Sequence, residues 1–278
     1  MTLSIIIVSY NAPDDLQRCL ESLHEAPPGI PHDITVVDNA STVGGLEAIR
    51  SRWLEVTFIA LDRNRGFAAG NNAGIRATRG EWLLLLNSDT VVPAGAIDTL
   101  VSRLLAHPLA AAAGPRLIDR SGRAELSFGP AISPLGEFRQ KAIGAFYDRA
   151  IAPIAGWVER QTRREQYVDW VSGACLLVSR NDAESVGLLD ERFFLYTEDV
   201  DFCAALRTRG RRILFAPAAE VTHLRGRSRA SDPAGANAAY RRSQIAFYEK
   251  HHPRWAWLLR AYLRLKGALP DKISTLCA

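Results

Sequence analysis

The chain has 278 residues, 47% of them hydrophobic and 23% charged, with 34 basic against 30 acidic side chains and a net charge of +4. So large an apolar share excludes intrinsic disorder and can bury one generous core or two modest ones. Four scattered cysteines (Cys19, Cys175, Cys203 and Cys277) with no C-x-x-C pair exclude a disulfide scaffold, argue against a cysteine zinc site and suit a reducing, cytoplasmic setting.

Residues 3–9 are a run rich in Ile and Val bounded by Tyr10-Asn11-Ala12-Pro13, which predicts a buried strand. The same ten-residue start lacks the basic opening and small-residue cleavage site of a signal peptide. A helix is expected over 14–24, where Leu16, Leu20 and Leu23 recur at helical spacing and Asp14 and Asp15 suit the first turn. Strands follow at 34–37, 56–61 and 82–86, with helices over 44–52, 67–77 and 93–107 and a further strand at 110–114. Residues 118–169 change character, with Pro130, Pro134, Pro153 and weak periodicity, which predicts loops and short helices over a site. Order returns with a strand at 170–178 and a helix after Asn181. Beyond these lie a helix over 200–209, extended segments at 212–215 and 221–223, and helices over 234–250 and 255–269. No apolar stretch approaches the ~20 residues of a membrane span.

Strand–helix alternation predicts an α/β fold, a mostly parallel sheet flanked by helices, over residues 1–230, with 231–278 as a C-terminal helical extension. In such sheets ligands sit beyond the carboxyl ends of the strands. Ser9, Asn11, Asp38, Asn39, Asn87 and Asp89 fall at those ends. Asn and Asp favour turns anyway, but three strands ending this way together point to a ligand crevice. Glu198, Asp199 and Asp201 open a helix, where the dipole favours acids and Thr197 suits a cap. At ~100° per residue Glu198 and Asp201 share a face and Asp199 points elsewhere. Geometry alone does not choose among them. Arginines cluster at 207, 209, 211 and 212 and again at 225, 227 and 229. No zinc-finger, helix-turn-helix or RNP signature accompanies them, so nucleic acid is not an expected partner.

Seven stretches carry a likeness: IIIVSYN (5–11), VVDNAS (36–41), NRGFAAGNNAGI (64–75), LLLLNSDT (83–90), WVSGACLLVSR (170–180), GLLDERFFLYTEDVDFCAALRTRG (187–210) and THLRGRS (222–228). In order, they resemble the family 2 glycosyltransferases of GT-A fold, and among them the bacterial rhamnosyltransferase-like enzymes of cell-surface polysaccharide assembly. The resemblance implies an inverting transfer of a sugar, rhamnose from dTDP-rhamnose with UDP-sugars open, from a nucleotide-diphosphate donor to a cell-surface glycan or lipid-linked acceptor. It implies that Asp38 accepts the pyrimidine N3–H, flanked by Ser9, Asn11 and Asn39. Arg65, Gly66, Gly70 and Asn71 would meet the diphosphate through unpaired N–H groups at a helix start. Asn87-Ser88-Asp89 stands where the family has its D-x-D motif, with the first acid replaced by Asn87. Asp89 and His223 would hold a divalent metal, Mg²⁺ or Mn²⁺, the imidazole favouring Mn²⁺. Arg225, Gly226 and Arg227 would close over the diphosphate. Asp199, the second acid of the family's E-D motif, would be the base. Trp170, Ser172, Gly173 and Glu198 would border the acceptor, Trp170 by stacking on a sugar, and Asp201 would orient the acceptor or a nearby Arg.

Two other functions compete. A non-catalytic nucleotide-sugar or glycan-binding pseudoenzyme is favoured by Asn87 and disfavoured by Asp199. A sugar nucleotidyltransferase is disfavoured because no Gly-rich, basic loop follows residues 3–9. The segment PRWAWLLRAYLRLKGAL (253–269) interleaves aromatic, Leu and basic residues, which suits an amphipathic helix lying peripherally on the inner membrane face.

Overall fold

A computed structural model describes residues 1–149, 151–224 and 233–270. The first half alternates as its periodicity predicts. Strand β1 (Leu3–Ser9) is buried at every position. Helix α1 (Pro13–Glu25) opens with Pro13 and buries Leu16, Cys19, Leu20 and Leu23 on one face. Then come β2 (His32–Asp38), α2 (Leu46–Arg52), β3 (Thr57–Ala60), α3 (Gly66–Ala77) and β4 (Trp82–Asn87). The four strands lie parallel in the order β3-β2-β1-β4. Along β1, Leu3, Ile5 and Ile7 enter one core cluster and Ile6 the other, as period-2 side chains must when both sheet faces are covered.

The second half holds β5 (Thr90–Val91), α4 (Ala96–Leu105), β6 (Ala110–Ile118), β7 (Phe128–Gly129), α5 (Pro134–Asp148), α6 (Ala152–Gln161) and β8 (Gln166–Val168). It continues with β9 (Trp170–Val171), β10 (Cys175–Ser179), α7 (Arg180–Ser185), α8 (Glu198–Thr208), β11 (Arg212–His223), α9 (Pro233–His251) and α10 (Pro253–Leu265). The main sheet runs on from β4 through β10, β6 and β11 to β5, and β8 pairs with β11. Strand β10 is antiparallel to both β4 and β6.

Three elements differ from the sequence reading. The strand expected over 170–178 is two strands in two sheets, because β9 pairs with β7 and the chain breaks at 172–174 before β10. Two apolar runs separated by small residues look continuous to any periodicity count. The extended pieces at 212–215 and 221–223 are one strand with a register irregularity between Ala216 and Glu220. Within 118–169 lies a 15-residue helix, α5, whose sequence PLGEFRQKAIGAFYD presents no clean apolar stripe.

The C-terminal helices pack back on the α/β layers. Phe247, Tyr248 and Ala256 join the second core cluster. Ser243 Oγ donates to the Leu195 carbonyl at 2.8 Å, and Tyr248 OH donates to Glu137 at 2.7 Å. Cys19, Cys175 and Cys203 are buried free thiols. Burial pushes Cys19 and Cys203 up to about 12, so they act as packing groups. The first arginine cluster is tied down locally: Arg207 to Asp169, Arg209 to the Ser185 carbonyl, Arg211 to Asp182, and Arg212 over the Tyr167 ring. The second cluster lies outside the described residues.

Candidate active site

Helix α8 starts from a strained turn. Tyr196 and Thr197 both adopt left-handed backbone, φ 69° and 66°. Each costs a non-glycine residue about 1–3 kcal/mol, and such strain gathers at functional sites. The Thr197 hydroxyl makes no cap bond, contrary to the capping role its position suggested. The turn is instead held by neighbours: the Phe67 N–H donates to the Phe194 carbonyl at 2.7 Å, and Ser243 anchors Leu195. Out of this turn comes Asp199. Its Oδ2 accepts the Gly173 N–H at 2.9 Å, and its Oδ1 accepts the Val200 N–H at 2.8 Å. Crowding by protein raises the Asp199 pKa above the usual carboxylate range, and the two N–H groups offset this only in part. The residue as a whole still keeps some solvent contact.

Its neighbours divide differently from expectation. Glu198 is buried at 5% exposure, and its Oε2 has no partner. Burial first, and the Asp199 charge second, push its pKa well up, which disfavours charge on Glu198. Asp201 is not turned to an acceptor. It is buried against Lys250 at 2.8 Å and His251 at 2.6 Å, and so fastens α9 to α8. Trp170 is a correction too. It lies in the core, donating its indole N–H to the Pro130 carbonyl at 3.0 Å, and is not placed to stack on a sugar.

A second cluster sits at the tips of β4 and β11. The turn Asn87-Ser88-Asp89 leads into β5, and β5 pairs Thr90 with His223. His223 Nε2 lies 3.2 Å from Asp89 Oδ1, while Nδ1 lies 3.1 Å from Glu125 Oε2. Burial opposes charge on this ring, but hydrogen bonds to Asp89 and Glu125 outweigh it and lift the pKa from 6.5 to about 9. The Asn87 amide stands 3.4 Å from Nε2, and the Leu224 N–H donates to the Asp89 carbonyl at 2.8 Å. Asp89 and His223 suit a divalent cation. Two ligands at adjacent corners of an octahedron of ~2.1 Å bonds stand about 3 Å apart, close to the spacing seen. Among the described residues no three His, Cys, Asp or Glu side chains form a cage, so such an ion would draw its remaining ligands from phosphate and water. Glu125 was missed by sequence reasoning. It lies in an aperiodic stretch, and only strand pairing brings it beside His223.

The two clusters are joined by one short piece of backbone. The Gly173 N–H holds Asp199, and the next carbonyl, that of Ala174, accepts the Asn87 N–H at 2.9 Å. The break between β9 and β10 is what delivers both groups to the strand-end edge.

The third group lies beyond β1 and β2. Asp38 is buried, and its Oδ1 accepts the Ser41 N–H at 3.0 Å. Ser9, also buried, sits opposite it, and its carbonyl accepts the Asn39 N–H at 2.9 Å. Asn11, left-handed at φ 53°, spends its Oδ1 on the N–H groups of Thr42 and Val43, at 2.7 and 3.1 Å. Asn39 is committed likewise, to Asn64, to the Gly66 carbonyl and to the Arg65 N–H. The N–H cradle expected at the start of α3 is already filled. The N–H groups of Arg65, Gly66 and Phe67 go to Asn39, Asn64 and the Phe194 carbonyl. Gly66 is needed for a different close approach: at φ 85°, a Cβ there would lie 2.2 Å from the Phe194 oxygen. The Arg65 side chain is half-exposed in a weak pair with Glu191 at 3.5 Å. Asn71 is fully buried, donates to the Phe67 carbonyl at 2.9 Å and leaves its Oδ1 unpaired. Arg227, with Arg225 and Gly226, lies outside the described residues. A cavity of about 450 Å³ lined by Arg103, Arg116, Arg163, Glu165 and Glu220 shares no residue with these groups.

Residues 4–165 match the family described as Glycosyl transferase family 2. The chain belongs to that family. It is 32% identical to the N-acetylglucosaminyl-diphospho-decaprenol L-rhamnosyltransferase of Mycobacterium tuberculosis, over 96% of this chain and 92% of that protein. It is 27% identical to a low-salt glycan biosynthesis hexosyltransferase of Haloferax volcanii, over 74% of this chain and 61% of that one. In fold it is similar to a mannosyltransferase of Pyrobaculum calidifontis solved with GDP-Man and Mn²⁺, with TM-score 0.61, 19% identity, 96% of this chain and 72% of that chain. A GalNAc transferase solved with UDP, GalNAc and Mn²⁺ matches at TM-score 0.60 and 17% identity, over 81% of this chain and 43% of that one. Both neighbours are glycosyltransferases of GT-A fold, the architecture seen here. This family 2 protein is therefore a glycosyltransferase. No described helix is long and apolar enough to cross a membrane.

Proposed function

We propose that this glycosyltransferase inverts the sugar it moves, taking rhamnose from dTDP-rhamnose to a lipid-linked acceptor, with Asp199 as its base. The observation that carries the mechanism is the Gly173-Ala174 backbone, which ties Asp199 to the Asn87-Ser88-Asp89 turn. Asp199 takes the proton of the acceptor hydroxyl. That oxygen bonds to the anomeric carbon from the face opposite the nucleotide, and the bond from that carbon to the diphosphate oxygen breaks. One base suffices, since no glycosyl-enzyme forms. Burial disfavours charge on Glu198, so the two acids have separate roles. A divalent cation between Asp89 and His223, Mn²⁺ before Mg²⁺ because of the imidazole, would neutralise charge gathering on the leaving diphosphate. Asp38 has carboxylate capacity left to accept a pyrimidine N3–H, and Arg65 can fork onto phosphate oxygens. Asn39 and Asn11 shape the loops around that nucleotide. Rhamnose and the lipid-linked acceptor are supported by the likeness to the mycobacterial enzyme across nearly its whole length.

The test is to supply dTDP-rhamnose, Mn²⁺ and polyprenyl-diphosphate-linked N-acetylglucosamine. Release of dTDP matched by a product of opposite anomeric configuration is expected. Pyrophosphate release, or donor binding without turnover, contradicts the proposal.

A lipid acceptor also gives α10 a purpose. Trp255, Leu258, Tyr262 and Leu265 form an exposed stripe at helical spacing, with Trp257 and the exposed Arg254, Arg264 and Lys266 beside it. We read this stripe as the contact with an anionic membrane surface. Replacing Trp255 and Trp257 by Ser is expected to weaken co-sedimentation with phosphatidylglycerol vesicles at least about tenfold, equivalent to ~1.4 kcal/mol. Undiminished binding removes the stripe from that role.

A further inference from the structure

Glu125 has no assigned role, yet it is the more deeply buried of the two carboxylates on His223, its side chain 4% exposed against 13% for Asp89. Its backbone is fixed from both sides. The preceding turn is closed by Asp119, whose Oδ1 accepts the N–H groups of Ser121 and Arg123 at 2.8 and 3.0 Å. The Glu125 N–H donates to the Leu117 carbonyl at 2.8 Å, and its own carbonyl accepts from Ser127 at 2.9 Å. The Ser127 carbonyl then accepts the Ser172 N–H at 2.7 Å, one residue before Gly173. The segment that carries Glu125 thus braces the 172–174 break, whose Gly173 holds Asp199, as well as the histidine.

The two ring nitrogens lie on different edges of the imidazole. Nδ1 faces Glu125 and Nε2 faces Asp89. Glu125 therefore stands outside the coordination shell of any ion shared by Asp89 and Nε2. Without a cation both ring nitrogens face carboxylates and can each donate a proton. A cation on one nitrogen displaces that proton, and the neutral imidazole left then carries one N–H, while a carboxylate can only accept. With the proton on Nδ1, the hydrogen bond to Glu125 is made and the Nε2 lone pair faces the cation position. With the proton on Nε2, a lone pair faces the Glu125 carboxylate and an N–H faces the cation. The buried carboxylate selects between these forms.

We propose that Glu125 is a positioning residue: it accepts the Nδ1 proton of His223 and so presents Nε2 as a ligand to the divalent cation. A carboxylate in this place also makes the bound nitrogen more basic. The inference rests on reading Asp89 and His223 as cation ligands, and the test separates the two.

Mn²⁺ affinity is measured by the electron paramagnetic resonance of free Mn²⁺, with dTDP present, for the unaltered chain, Glu125→Gln, His223→Ala and the double variant. Glu125→Gln is expected to weaken Mn²⁺ binding about 10- to 100-fold, and to add nothing once His223 is gone. If His223→Ala leaves Mn²⁺ affinity unchanged, the ligand reading fails and this inference with it. If His223→Ala weakens it but Glu125→Gln does not, only the Glu125 inference is overturned. The same follows if Glu125→Gln costs an equal factor with and without His223. The unaltered chain gives an independent check should the variants fold poorly. Nitrogen-15 shifts of His223 with Mg²⁺ and dTDP should report the Nδ1–H tautomer, and an Nε2–H tautomer overturns the proposal.

Discussion

Asp199→Asn is expected to cut kcat by about 10²- to 10⁴-fold, the usual share of a general base, while nucleotide affinity stays within a few-fold of normal. The amide cannot take the acceptor proton, but it keeps the shape of the side chain and can still accept the Gly173 N–H that Asp199 holds at 2.9 Å. Stability supplies the control. Because protein crowding raises the folded pKa of Asp199, the folded state binds this proton more tightly than the unfolded chain does. The stabilisation this gives is full below the unfolded value near ~3.9 and is lost as pH rises through the folded one. At neutral pH the ionised group is therefore a net cost, and the Asn variant should melt no lower than about 2–4 °C beneath the parent. A large loss of melting temperature together with lost activity points to a structural role instead.

Gly66→Ala is expected to have the largest effect on stability, about 3 kcal/mol or more. Two costs add. A Cβ at φ 85° is strained on its own account, and this one would lie 2.2 Å from the Phe194 oxygen and 2.8 Å from its Cα. These are backbone atoms, so no side-chain rotation relieves the contact. At roughly 2–4 °C per kcal/mol the melting temperature should fall by about 6 °C or more. Activity should fall further than stability alone explains, because Phe194 leads directly into the left-handed pair Tyr196-Thr197 that aims Asp199. Gly44→Ala is the matched control, since a Cβ there meets nothing within 4 Å. Equal melting curves for the two variants would mean that the approach of Gly66 to Phe194 is not as close as described.

The first four strands were legible as short runs of strand-forming residues bounded by turn residues, and two of them, β2 and β4, end in Asp38 and Asn87. Asp38 and Asn87 stand at strand ends because the same residues that close a parallel strand line its crevice. What escaped was set by tertiary contact. Nothing local separates Val171 from Cys175, so the break that places Gly173 was invisible, and with it the reason Asp199 points where it does. Trp170 invited a sugar-stacking role by its motif, but its ring is buried in the core and its indole N–H donates to the Pro130 carbonyl. The glycine of NRGFAAGNNAGI promised a phosphate cradle, yet Gly66 admits a protein backbone instead. Glu125 carried no motif at all. The acids Glu198, Asp199 and Asp201 looked alike in sequence, and the structure separates them: Glu198 is buried with its charge disfavoured, Asp199 is held by two backbone N–H groups, and Asp201 is anchored to Lys250 and His251.

The central claim is that one ionised carboxylate, Asp199, removes the acceptor proton. The pH dependence of kcat/KM for the acceptor tests it most directly. The rate should fall about tenfold per unit on the acid side, below an apparent pKa above the ~4 of an ordinary Asp, and that acid limb should vanish in Asp199→Asn. An acid limb that survives unchanged in the variant would show that some other group carries the proton.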